Sequence, residues 1–119
     1  MIGSSASVLP FRDYRNARRP LYFSRPELNQ LLGLYSRNVS GGIWRDYAID
    51  YRDGQALFSV FRHTHESPAY TIVKSLASAA GAVDFVVLSG RQRLRSARSL
   101  AEALEYFGSK LMLVTAGPG

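Results

Sequence analysis

Residues 44–62 read Trp44-Arg-Asp-Tyr-Ala-Ile-Asp-Tyr-Arg-Asp-Gly-Gln-Ala-Leu-Phe-Ser-Val-Phe-Arg62, and this stretch decides the fold. Two runs rich in aromatic and β-branched residues flank Asp53-Gly54, the pair that best signals a two-residue hairpin turn of type I′. Glycine takes the required positive φ without steric cost, and aspartate tolerates it better than most residues. With that turn setting the register, Tyr51 faces Ala56, Ile49 faces Phe58 and Tyr47 faces Val60. One hairpin face then carries Tyr47, Ile49, Tyr51, Ala56, Phe58 and Val60, a core face. The other carries Asp46, Ala48, Asp50, Arg52, Gln55, Leu57, Ser59 and Phe61, a mixture of charge and apolar surface.

Upstream, Ser24-Arg25-Pro26-Glu27 is a capping box with proline in the first turn, where no hydrogen-bond donor is lost. Phe23 and Leu28 have the spacing of a hydrophobic staple. Leu28, Leu31, Leu32, Tyr35 and Val39 recur at helical spacing, which predicts a helix over 24–38 with one apolar stripe. Downstream, the alternation predicts a third strand over 69–75, a fourth over 83–88, a tight turn at Ser89-Gly90 and a short fifth strand over 92–95. In that register Phe85, Val87 and Leu94 share the core face. Asp84, Val86, Leu88, Arg91, Arg93 and Arg95 share the opposite face, so three arginines form a one-sided basic ladder. Ser99-Leu-Ala-Glu102 is a second capping box and opens a helix over 99–113.

The expected architecture is α+β: a two-layer sandwich in which an antiparallel meander of four or five strands carries both helices on one face. Residues 22–114 form the single domain. Residues 1–21 are expected to be a flexible basic arm, with Arg12, Arg15, Arg18 and Arg19 against the single acid Asp13, and residues 115–119 a frayed tail. The chain's 119 residues leave no room for two ordinary domains, and 46% hydrophobic residues suffice for a normal core. Thirteen of the fifteen cations are arginine, and the net charge of +6 leans towards an anionic partner. The absence of cysteine excludes thiol nucleophiles, thiolate metal sites and disulfides. No apolar run reaches the length of a membrane span and no signal-peptide core follows Met1, so a cytoplasmic protein is expected.

Three strings carry a resemblance: Tyr22-Phe23-Ser24-Arg25-x-Glu27-Leu28-x-x-Leu31-Leu32-x-Leu34-Tyr35, Gly42-x-Trp44-Arg45-Asp46-Tyr47-Ala48-Ile49-Asp50, and Ala56-x-Phe58-Ser59-Val60-Phe61-Arg62. Together they resemble a family of small alphaproteobacterial proteins known only as a domain of unknown function. The likeness covers roughly residues 22–107. It implies a bacterial cytoplasmic origin and brings no activity, cofactor or catalytic residue.

The residues themselves favour a non-catalytic role. His63-Thr64-His65-Glu66 offers two imidazoles and a carboxylate, but no third ligand stands at a recognised spacing, so they read as loop residues. Asp46 and Asp50 lie roughly 13 Å apart along a strand, too far for paired-carboxylate catalysis. No Walker loop or Gly-x-Gly-x-x-Gly cradle is present. No cofactor, metal, membrane or small-molecule substrate is therefore expected. An open sheet face bearing Asp46, Leu57, Phe61, Val86 and Leu88 points to a protein interface, either a homodimer or a docking surface on a larger complex. The alternative is RNA or DNA binding through Arg12, Arg15, Arg18, Arg19, Arg91, Arg93, Arg95 and Arg98.

Overall fold

A computed structural model describes residues 20–63, 66–77 and 81–116 of the chain. Helix α1 (Arg25–Ser40) leads into β1 (Asp46–Arg52), β2 (Gln55–Phe61), β3 (Tyr70–Leu76), β4 (Val83–Ser89) and β5 (Gln92–Ala97), and helix α2 (Leu100–Ala116) follows. The five strands form one antiparallel sheet in the order β1-β2-β3-β4-β5. This is the α+β meander with two helices that the pattern predicts.

The central hairpin forms in the predicted register. Tyr51 pairs with Ala56, Ile49 with Phe58 and Tyr47 with Val60. Both turn residues have positive φ, 51° at Asp53 and 73° at Gly54, as a type I′ turn demands. Phe58 and Val60 are fully buried beneath the helices. Their β1 neighbours Tyr47, Ile49 and Tyr51 remain more than a third exposed, because β1 is an edge strand that α1 covers only in part. Tyr47 stacks on Phe58 at 5.4 Å and meets Tyr35 of α1 edge-on at 4.8 Å, so aromatic contacts take over where the cover thins.

Helix α1 starts with the full capping box. The Glu27 N–H donates to Ser24 Oγ at 3.2 Å, and the Ser24 N–H donates back to Glu27 Oε1 at 2.7 Å. The helix runs two residues past its predicted end; of the predicted stripe, Leu31 is buried and Leu28, Leu32 and Tyr35 pack partly buried against the core. Leu31, Leu34 and Asn38 are buried, whereas Val39, read as part of the stripe, is exposed. Asn38 is the hinge of this correction. Its side-chain amide donates to the Leu34 carbonyl at 2.8 Å, and its own carbonyl accepts from Ile43 at 2.9 Å and Trp44 at 3.3 Å. The chain thus folds back over the helix end and buries a polar residue whose side-chain NH2 and backbone carbonyl are both partnered.

That return places Trp44 in the core at 3% exposure. Its ring lies 5.5 Å from Phe107 of α2, and Phe107 meets Tyr70 of β3 at 5.0 Å, both edge-on. Helix α2 opens with Glu102 N–H donating to Ser99 Oγ at 3.2 Å and continues through Gly108 to Ala116, three residues past the predicted end. The helices divide the sheet between them. Helix α1 reaches β1 and β3 through Tyr35 and Glu27, and α2 lies over β4 and β5.

Candidate functional site

The helices cover one sheet face, so the strand registers identify every residue on the other. Read across the five strands, one rung is Asp50, Leu57, Val73, Val86 and Ser96, and the next is Ala48, Ser59, Thr71, Leu88 and Arg93. Asp46 and Phe61 continue the pattern on one side, and Arg52, Gln55, Ser75 and Asp84 on the other. The apolar residues Leu57, Val73, Val86, Leu88 and Phe61 gather in the middle strands. Most of the charge stands on the outer strands, Asp46, Asp50 and Arg52 on β1 and Arg93 on β5, with Asp84 on β4.

The middle is packed but uncovered. Val73 keeps 7% exposure and is sheltered by its own cross-strand neighbours, while Leu57, Phe61, Val86 and Leu88 are half-buried. Between the apolar residues, the Ser59 and Thr71 hydroxyls share a hydrogen bond of 3.2 Å. On β1, Asp46 accepts the Tyr47 N–H at 2.8 Å. This occupies a backbone donor on an edge strand, a device that discourages random strand pairing. Asp50 pairs with Arg52 at 3.4 Å, with both side chains more than half exposed, so the pair adds little to stability.

The predicted arginine ladder does not form on one face. Gln92 pairs with Ser89, which makes Gly90-Arg91 the turn in place of Ser89-Gly90. Gly90 has φ 62° at the first turn position, where type II′ turns take glycine. Arg93 then faces Leu88 on the open side, but a bulge follows, and Arg95 faces Val87 on the helix side. An extra residue in one strand reverses every side chain beyond it. Arg95 accordingly donates to Glu105 of α2 at 3.1 Å. Arg91 and Arg98 are exposed at the two ends of β5. Arg12, Arg15, Arg18 and Arg19 lie outside the described residues, as does His65; His63 is exposed.

A polar site on the covered face escaped the sequence reading. Lys74 of β3 points under α1, where its Nζ donates to Glu27 Oε1 and to the Tyr22 carbonyl, each at 2.8 Å, and lies 6.0 Å from the Phe85 ring. Burial alone would raise the Glu27 carboxyl. The bond from Lys74, the two bonds from Ser24 and the Lys74 charge outweigh it and hold the carboxyl below the ordinary carboxylate range. One carboxylate thus caps α1 and ties it to the central strand. Near the edge, Tyr35 is raised by burial and by the neighbouring Asp46 and Tyr47. Between the helices runs a shallow groove of about 350 Å³, with Asn29, Gln30 and Arg37 on one wall and Leu104 and Glu105 on the other.

The family model for a protein of unknown function, DUF2794, matches residues 21–104, which takes in α1, the whole sheet and the start of α2. The chain belongs to the DUF2794 family. The matched span therefore contains both the open face and the Glu27–Lys74 tie. No curated protein and no solved structure matches the chain. No helix among the described residues is long and apolar enough to cross a membrane.

Proposed function

We propose that this DUF2794 protein is a non-catalytic cytoplasmic interaction module that docks on another protein surface through its open sheet face. The supporting observation is the rung pattern: half-buried Leu57, Val86, Leu88 and Phe61 in the middle strands, with Asp46 and Asp50 on one outer strand and Arg93 on the other. An apolar centre with a polar rim is the anatomy of specific interfaces, and the charged rim sets orientation and rejects wrong partners. Phe61 and Leu57 supply the apolar anchors, and Arg93 supplies a fork for a carboxylate.

Leu57→Lys tests this reading. Asp50 stands directly opposite, so the new cation gains a cross-strand partner and the fold is kept. Tagged wild-type chain should retain a protein partner, or a second copy of itself, that the variant loses. Identical retention by both chains would overturn the reading.

A second reading rests on β5, where Arg91, Arg93 and Arg98 are exposed along one edge. A nucleic-acid strand could follow that edge through phosphate contacts. It predicts binding to RNA or DNA that survives physiological salt and weakens when these three arginines become alanine, as read by fluorescence anisotropy. The carboxylates of Asp46, Asp50 and Asp84 on the adjoining face weigh against it.

A further inference from the structure

We propose that the partner of the open face is a second copy of the same chain, packed sheet to sheet about a two-fold axis that runs along β3. The inference rests on the interaction reading above and adds the occupant and the geometry. Its support is the way charge is distributed over the rungs. A two-fold axis along β3 leaves each rung at its own level and exchanges β1 with β5, and β2 with β4.

The consequences can be read off rung by rung. Leu57 of one copy meets Val86 of the other, and Thr71 meets its own counterpart on the axis. Arg93 lands opposite Ala48 of the second copy, between Asp46 and Asp50 of that copy. Asp84 lies at the level of Arg52 of the second copy, one strand away. Every charged group on the face gains an opposite charge, and each contact occurs twice, as an isologous interface requires. The other in-plane axis, across the strands, would set β1 on β1 and β5 on β5: placed at the level of Ala48 or Asp50 it brings acid against acid, and placed midway it sets Arg93 on Ser96, where it gains no acid. Like charges at that distance are costly, so the pattern selects one axis.

The size is adequate. Five strands about 4.8 Å apart, six or seven residues long at about 3.3 Å per residue, present roughly 550 Å² per copy. Two copies together reach the lower limit of about 1,000 Å² for a specific interface. Aligned packing of twisted sheets at about −30° accommodates the geometry. An interface of this size predicts a dimer that dissociates on dilution.

Sedimentation equilibrium of the full chain over a wide concentration range tests the proposal, with circular dichroism confirming that each variant is folded. Wild type should show a monomer–dimer equilibrium. Arg93→Asp alone and Asp50→Arg alone should each weaken it about ten-fold or more, and the double variant should recover most of the loss. Asp50→Arg tightening the dimer would overturn the geometry, because that is the result of acid-on-acid packing. A wild-type chain that stays monomeric at every concentration, or associates only when RNA or DNA is added, would overturn the dimer. A monomeric wild type whose bound foreign protein is lost with Leu57→Lys would leave the interaction reading standing while this inference falls. As a second measurement, Thr71→Cys places a single thiol on the axis of a chain that otherwise has none. A short bis-maleimide should link two such chains, whereas a lone Asp50→Cys thiol, carried far from its counterpart, should not link.

Discussion

The two faces of this sheet are built from neighbouring residues of the same strands, yet they solve opposite problems. On the covered face, Phe58, Val60, Ile72 and Val87 have no exposed surface, and the buried cation Lys74 is hydrogen-bonded to Glu27 and the Tyr22 carbonyl. On the open face, Leu57, Val86 and Leu88 lie at the same strand levels but keep part of their surface in water, and most of the charge sits on the outer strands. The comparison teaches that apolar content alone does not distinguish core from interface here. What distinguishes them is whether polar groups are resolved inside the chain or left facing outwards.

The largest test of that contrast is Phe58→Ala. The ring is fully buried and stacked on Tyr47, so its loss should cost about 3–5 kcal/mol, read as a fall in the urea midpoint. Lys74→Ala comes next. It strands the Glu27 carboxylate beside the sheet, with Ser24 as its remaining partner, and should cost about 2–3 kcal/mol. Lys74→Met together with Glu27→Gln should cost less than Lys74→Ala alone, since no unpaired charge remains. If Lys74→Ala proves neutral, the covered face resolves its polar groups less completely than its geometry suggests.

Acid provides a smaller and independent probe of the same tie. The folded carboxyl of Glu27 titrates below its unfolded value, so the unfolded chain binds more protons in the window between the two. The tie is at full strength above the unfolded value and is lost as pH falls through the folded one. Wild-type stability should therefore decline below about pH 5 more steeply than that of Glu27→Gln. Parallel acid limbs would show that the tie adds no pH dependence.

How much of this was legible in the sequence depended on whether local signals carried the geometry. Asp53-Gly54 has one comfortable turn conformation, and that turn counts residues, so the β1–β2 register followed to the residue. The β5 register did not. Alternation alone cannot count an extra residue, and the bulge after Arg93 turned Arg95 to the helix side, where it pairs with Glu105. Lys74 was missed because a lone lysine in a strand reads as solvent-facing. Its place in the series Tyr70, Ile72, Lys74 put it on the core face, and the capping-box Glu27 was the available partner. Likewise, Leu34 and Asn38 join Leu31 as the buried residues of α1, and the polar Asn38 escapes a search for apolar periodicity.

Leu57→Lys makes the smallest change to the fold and the sharpest cut between the faces. Leu57 and Phe58 are adjacent in β2 and point in opposite directions. Lysine at position 57 can lay its methylene stem over Val73 and Val86 while its ammonium reaches water and Asp50, so little burial is lost. The isolated domain should be destabilised by less than about 1 kcal/mol, seen as a melting temperature a few degrees from wild type. The same change, one residue from a position whose truncation costs several times more, should abolish association through the open face. A loss of stability comparable to that of Phe58→Ala would mean that Leu57 belongs to the core, and that the sheet has two interior faces within a single chain.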